Sequence, residues 1–150
     1  MSSDSDAFAA TIAQVQASWA KATPISSEVA TLFYQNLFAL DPGLRRLFKS
    51  DMREQGARFT QMLSFAIARL TDLDVLMPVL HKLGQDHAGH GVTLLHYDLV
   101  GLALLQTLDQ VLGKAFTTDV HDAWKTVYDV IARTMIEGAA LPRTAESPAA

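Results

Sequence analysis

The 150-residue chain contains no cysteine. That excludes disulfides, thiolate metal sites and a cysteine nucleophile together. Basic charge is not in excess either: 12 Lys+Arg stand against 16 Asp+Glu, a net charge of −4 and a pI near 5.6. A dedicated nucleic-acid binder normally shows a concentrated basic patch, so that class is set aside. Long apolar runs are missing. The longest, Leu99–Leu105, falls far short of the roughly 20 residues that span a bilayer, so no membrane partner is expected. The amino terminus, Met1-Ser2-Ser3-Asp4-Ser5-Asp6, is acidic and polar, the reverse of a secretory signal, and a cytoplasmic protein is expected. Period-two alternation is almost absent, which leaves little to build strands from. There is no G-x-G-x-x-G, Walker loop, G-x-S-x-G or H-E-x-x-H pattern. What remains is 49% hydrophobic and 19% charged residues, enough to fill the core of one all-α domain.

The chain divides into helical segments separated by short breakers. Ser5 or Asp6 is expected to cap a first helix carrying Phe8, Ile12, Val15 and Trp19 on one face, with a break at Lys21–Pro24. A second helix is expected from about Ile25 to Leu40, with Val29, Leu32, Phe33, Leu37 and, at the margin of the face, Phe38 inward. Asp41-Pro42 places a cap before a proline at the first helical position and opens a short helix ending near Leu47-Phe48. Asp51 followed by Glu54 predicts the start of a long helix, whose inner stripe is Gln55, Phe59, Met62, Leu63, Ala66, Ile67 and Leu70. Leu76, Val79, Leu80, Leu83 and His87 define another, with Pro78 expected near its start and Gly89 and Gly91 at its end. Two more helices are expected over about Tyr97–Leu112 and Thr118–Gly138, separated by Gly113. A loose tail is expected over 141–150 after a domain spanning 1–140.

Two polar residues on these inner faces stand out. By periodicity Gln55 reads as a boundary glutamine, with an amide presented into a pocket as the alternative. His87 closes the apolar face of Leu76, Leu80 and Leu83, either as a neutral core histidine bonded to a backbone carbonyl or as a metal ligand. His81, six residues earlier and about 120° round the helix, reads as exposed. His90, His96 and His121 have no partner at a zinc-ligand spacing, which argues against a site of several protein ligands. One histidine alone cannot hold a bare ion tightly. It can, however, serve as the single protein ligand of an iron already held by a porphyrin.

The order of motifs gives this weight. Leu32-Phe33-Tyr34-Gln35-Asn36-Leu37-Phe38, Asp41-Pro42 and Leu47-Phe48 are followed by Gln55-x-x-x-Phe59. Then come Leu83-Gly84-Gln85-Asp86-His87-Ala88-Gly89-His90-Gly91-Val92, His96-Tyr97-x-x-Val100-Gly101-x-x-Leu104-Leu105 and Ala123-Trp124-x-x-x-Tyr128. Each piece is weak alone, but the ordered set resembles the globin family over about Ser5 to Gly138. The resemblance is to single-domain bacterial haemoglobins, the haem domain of flavohaemoglobins and neuroglobin-like bacterial globins.

The resemblance implies a globin fold of six to eight helices around a pocket for haem b, iron protoporphyrin IX. It implies His87 as the iron ligand, Phe48 as the ring packed on the porphyrin, and Phe59 and Val92 as further porphyrin contacts. Tyr34 and Gln55 match a distal pair whose hydroxyl and amide point at a bound gas, and Arg58 could reach a haem propionate or stay solvated. Tyr97 matches a tyrosine that positions the proximal histidine. In flavohaemoglobins a carboxylate on the last helix joins that tyrosine; ungapped alignment from Trp124 puts Ala139 there and Glu137 two residues short. With no histidine at position 55, five-coordinate iron is expected. The implied ligands are O₂, NO or CO, with slow O₂ release. Reversible O₂ carriage is the leading expectation. NO dioxygenase activity and gas sensing stand beside it, as does a haem-free interaction module. No flavin or NAD domain lies in these 150 residues, so NO turnover is expected to need a separate flavin/NAD(P)H reductase. Monomer and homodimer are both left open.

Overall fold

In a computed structural model, residues 2–49 and 51–141 are described. The tail expected over 141–150 lies outside them from residue 142 onward. Six α-helices follow one another: α1 Ser2–Ala22, α2 Ser26–Leu40, α3 Met52–Ala68, α4 Leu73–Gly89, α5 Leu94–Leu112 and α6 Thr118–Ala140. Short 3₁₀ turns at Thr23–Ile25, Pro42–Leu47 and Gly113–Ala115 connect some of them. Among the described residues there is no strand.

Local chemistry accounts for most boundaries. The Asp41 side chain accepts from the Gly43 amide at 3.0 Å and starts the 3₁₀ turn at Pro42. Asp51 accepts from the Arg53 amide at 2.9 Å and starts α3. Thr117 accepts from the Val120 amide at 3.2 Å and starts α6. These side chains satisfy amides that the first helical turn leaves without partners.

Four expectations need correction. The first helix begins at Ser2, so Ser5 and Asp6 lie within its opening turns, where acidic residues suit the helix dipole; it also runs through Lys21 to Ala22. Pro78 lies inside α4, a turn beyond the expected position. Its ring deletes one bond to the Asp74 carbonyl, and Asp74 sits in the exposed first turn where water can replace the donor. Helix α5 begins at Leu94 rather than Tyr97, because the His96 Nδ1 accepts from the Thr93 amide at 3.0 Å and closes a turn upstream. His81 is half-buried rather than exposed. It faces Gly138, whose missing side chain admits the backbone of α4: a Cβ at Gly138 would strike the His81 backbone, and one at Gly84 would strike that of Met135.

Helices α4 and α6 therefore pack backbone to backbone. Helix α2 packs on α5, and α1 lies against α6 and α3. The core centres on Val15, Val29, Phe33, Leu37, Leu76, Leu108, Trp124 and Val127, all nearly inaccessible to solvent. Trp19 and Trp124 meet edge to face with centroids 5.9 Å apart. Their indole N–H groups donate to Ser64 and Ser18 at 2.9 and 2.8 Å, so neither buried ring leaves a polar atom unpaired.

Candidate functional site

Helix α3 packs on α2 and α1, whereas α4 packs on α6. The two helices that carry the singled-out residues, Gln55 with Phe59 and His87, thus belong to different halves of the molecule. Half-buried apolar side chains rest on the core in both halves, among them Phe48, Phe59 and Leu63 on one side and Leu83 and Tyr97 on the other.

On the α2–α3 side the anchor is Tyr34, 7% exposed and enclosed by aromatic rings. Phe33, Phe48, Phe38 and Phe59 lie at centroid distances of 4.9, 5.3, 5.8 and 6.0 Å. Phe59 stacks on Phe33 at 4.1 Å with 13° between the planes. The crossing that brings α3 here depends on Gly56, where a Cβ would come within 2.9 Å of the Ala30 Cβ. Gln55 is thereby brought beside Tyr34, which lies one turn along α2 from Ala30. Arg58, one turn further along α3, donates from Nη2 to Gln55 Oε1 at 3.0 Å. Burial raises the Tyr34 phenol above its ordinary pKa, opposed by Gln55 and then by the Arg58 charge. Tyr34 is a neutral hydroxyl at physiological pH.

On the α4–α5 side His87 is oriented by its own helix. Its Nδ1 lies 2.8 Å from the Leu83 carbonyl, one turn back. A carbonyl can only accept, so Nδ1 carries the proton and Nε2 keeps its lone pair. Burial lowers the His87 pKa, against a raising effect of the Leu83 bond and the Asp86 charge, and favours the neutral ring. Tyr97 lies beside it, ring centroids 6.4 Å apart and planes 25° from parallel. The Tyr97 backbone is held in turn by the Tyr128 hydroxyl, which donates to its carbonyl at 2.6 Å. Val92 tightens the turn after α4 by donating its amide to the His87 carbonyl at 3.1 Å.

The geometry thus joins Tyr34, Phe48, Gln55, Arg58 and Phe59 into one cluster and His87, Val92 and Tyr97 into another. Glu137 and Ala139 are exposed on α6, and the Nδ1 partner of His87 is a neutral carbonyl. Sequence inspection missed Leu83 as that partner, although the fourth residue back on a helix is the natural place to look. Phe38, expected at the margin of the inward face, proves to be a wall of the Tyr34 cage. Among the described residues no group of three or more His, Asp or Glu side chains is placed to hold a metal ion. A groove of about 460 Å³ between α5 and the start of α6, lined by Leu102, Leu105, Phe116 and His121 among others, contains none of the residues above.

The chain belongs to the globin family, whose family model, described as Globin, matches residues 31–135. It is 34% identical over 108 residues to the flavohemoprotein of Bordetella parapertussis, a match covering 69% of this chain and 27% of that protein. It is 31% identical over 121 residues to the neuroglobin of Danio rerio, covering 71% and 76%. The chain spans about a quarter of the length of the flavohemoproteins it matches. In three dimensions it superposes on a hexacoordinated haem protein from an anhydrobiotic tardigrade with a TM-score of 0.80, over 89% of this chain and 95% of that one. At 16% identity that likeness is one of fold.

Proposed function

We propose that the protein binds haem b through His87 and holds a diatomic gas, O₂ foremost, against Tyr34. The observation that carries this is the His87 ring: its Nδ1 proton is committed to the Leu83 carbonyl at 2.8 Å, so a lone pair remains on Nε2 of a ring kept neutral by burial. With no cysteine, thioether attachment is impossible, which favours a non-covalent haem. Phe48, Phe59, Val92 and Tyr97 supply apolar surface for the macrocycle. When bound, ferrous haem supplies a reversible site for a diatomic ligand.

The residues of the chain set how that ligand is held. Tyr34 is a neutral donor in a cage of aromatic rings, where low polarity strengthens a hydrogen bond to a polarised guest. One such bond contributes about 1 kcal/mol, or about five-fold in affinity. Neither α2 nor α3 carries a histidine, which supports five-coordinate iron in the ferrous protein. Because Nδ1 of His87 faces a neutral carbonyl, the ring is a modest electron donor, as suits reversible binding better than oxidative turnover.

NO dioxygenase activity is the second reading, favoured by similarity to proteins named flavohemoproteins. It requires electrons from a flavin/NAD(P)H reductase. Haem titration of the purified protein should produce a Soret band at one equivalent, and the ferrous form should bind O₂ reversibly. Absence of the band overturns haem binding. Rapid NO consumption with a supplied reductase, together with fast autoxidation of the O₂ form, would shift the reading to the enzyme.

A further inference from the structure

Charge is unevenly placed along the chain. Residues 45–58 hold five of its 12 Lys+Arg, namely Arg45, Arg46, Lys49, Arg53 and Arg58. They hold only two of its 16 Asp+Glu, Asp51 and Glu54, so this segment carries +3 and the remaining residues −7. Helix stability does not call for it. Arg53 stands in the first turn of α3, where the helix dipole favours acidic side chains.

The fold sets these cations around the aromatic cage of Tyr34. Arg45 braces the turn before Phe48: its Nη1 donates to the Phe48 carbonyl at 2.9 Å, and its guanidinium lies 5.9 Å from the Phe38 ring centroid. Arg46 and Lys49 flank Leu47-Phe48 in the chain, and Arg58 donates to Gln55 from α3. All five basic residues are exposed. Arg46, Lys49 and Arg53 enter none of the ion pairs seen among the described residues, which join Lys82 to Asp86, His121 to Asp122 and Lys125 to Asp129. The Asp51 carboxylate is committed to the Arg53 amide at 2.9 Å. Leu40 and Leu47 are exposed as well, at 37% and 36%. Apolar side chains beside a charged rim suit contact with another protein.

We propose that this basic face docks an acidic protein that gives electrons to the haem, one electron leaving the donor as ferric iron becomes ferrous. This rests on the haem-binding reading above and names the surface through which a reductase would act. That reading places Phe48 on the macrocycle, so a donor held by the surrounding cations stands beside the cofactor. Charge also selects the kind of partner. With a screening length of about 8 Å, a compact acidic face meets the basic segment alone. DNA or an anionic bilayer presents charge over a wider span, which also faces the acidic remainder of the molecule.

The probe is an acidic flavodoxin, a one-electron flavin donor. Its reduction of the ferric, haem-loaded protein, followed by stopped flow, should slow about ten-fold in the variant Arg46→Gln/Lys49→Gln/Arg53→Gln. Added salt should slow the wild type toward the variant. Free reduced lumiflavin, too small to span the face, should reduce both at one rate, and O₂ release should be unchanged. Lys21→Gln/Lys114→Gln/Lys125→Gln removes the same charge elsewhere and should keep the wild-type rate with flavodoxin. In the haem-free protein, NMR titration with flavodoxin should shift the amides of residues 45–58, and the first variant should lose those shifts. Flavodoxin reduction that ignores salt, or that is as fast in the first variant, overturns the proposal. So does an equal slowing in the second variant, which would assign the effect to net charge. Slowing with lumiflavin too overturns it by assigning these residues to the haem itself. Tighter binding to phosphatidylglycerol vesicles than to flavodoxin overturns it in favour of a membrane. Failure of the wild-type protein to take up haem overturns the reading on which the donor role stands, while the amide shifts still decide docking.

Discussion

The two halves that carry the site are built by different means. On the α4–α6 side, His87 is oriented by a backbone carbonyl of its own helix, and that helix lies against α6 through two glycines that admit direct backbone contact. On the α2–α3 side, side chains set one another: exposed Arg58 donates to Gln55, and buried Tyr34 is held among aromatic rings. A backbone carbonyl is present whatever residue occupies position 83, whereas each contact on the α2–α3 side depends on residue type. Under the proposed function, the α4–α6 half governs whether the cofactor is held, and the α2–α3 half governs how its ligand is treated.

The strongest way to break this comparison is His87→Gly, which removes the proposed ligand without disturbing the core. Haem titration should lose the wild-type Soret band, and added imidazole should bring it back, while circular dichroism keeps its helical signal. Retention of the native spectrum without imidazole would deny the α4–α6 half its role.

Next in size is Gly84→Ala. The new methyl meets backbone that cannot swing aside, so α4 and α6 must separate. The expected cost is about 2–3 kcal/mol, or roughly 5–10 °C in Tm for a chain of this length. Thermal unfolding of the haem-free protein checks it, and an unchanged Tm would show that the crossing is not close.

Tyr34→Phe sharpens the comparison from the other side. It should leave haem affinity near wild type and speed O₂ release about five-fold, measured by stopped flow. Equal effects on haem retention and gas release would erase the division of labour.

The smallest effect concerns pH. All three tyrosines, Tyr34, Tyr97 and Tyr128, are raised by burial, Tyr128 most of all. An unfolded tyrosine ionises near pH 10, so above that value the unfolded chain loses protons that the folded one keeps. Stability contributed by keeping the phenols neutral is intact below about pH 10 and declines as pH rises beyond it. Denaturant unfolding at pH 8 and at pH 11 should show this loss, and Tyr128→Phe should reduce it. A loss of the same size in the variant would remove Tyr128 from the account.

Much of this was legible along the chain. Asp41, Asp51 and Gly113 mark boundaries because capping and helix termination are local, satisfied within a few residues. The inner stripes of α1 and α6 followed from helical periodicity, and the ordered motifs carried the family. Less legible were features settled by partners far away in sequence. His81 reads as solvent-facing on its own helix and is covered because Gly138 admits α4. Pro78 is tolerated inside α4 because Asp74, whose carbonyl loses a donor, is exposed in the first turn. The Arg58–Gln55 spacing was visible as three residues on one helix face, but its place beside α2 depended on the close crossing at Gly56.

Residue order by itself determined an all-α chain, the helical segments, the globin family and a histidine closing an apolar stripe, since each depends on neighbours within a turn or two. Only the tertiary structure decided that α3 crosses α2 at Gly56 and that α4 and α6 touch through backbone. It also showed that the partner of His87 is a carbonyl rather than a carboxylate. Those facts depend on distances of a few ångströms between helices, which periodicity cannot supply because it reports which face is buried and not what that face meets.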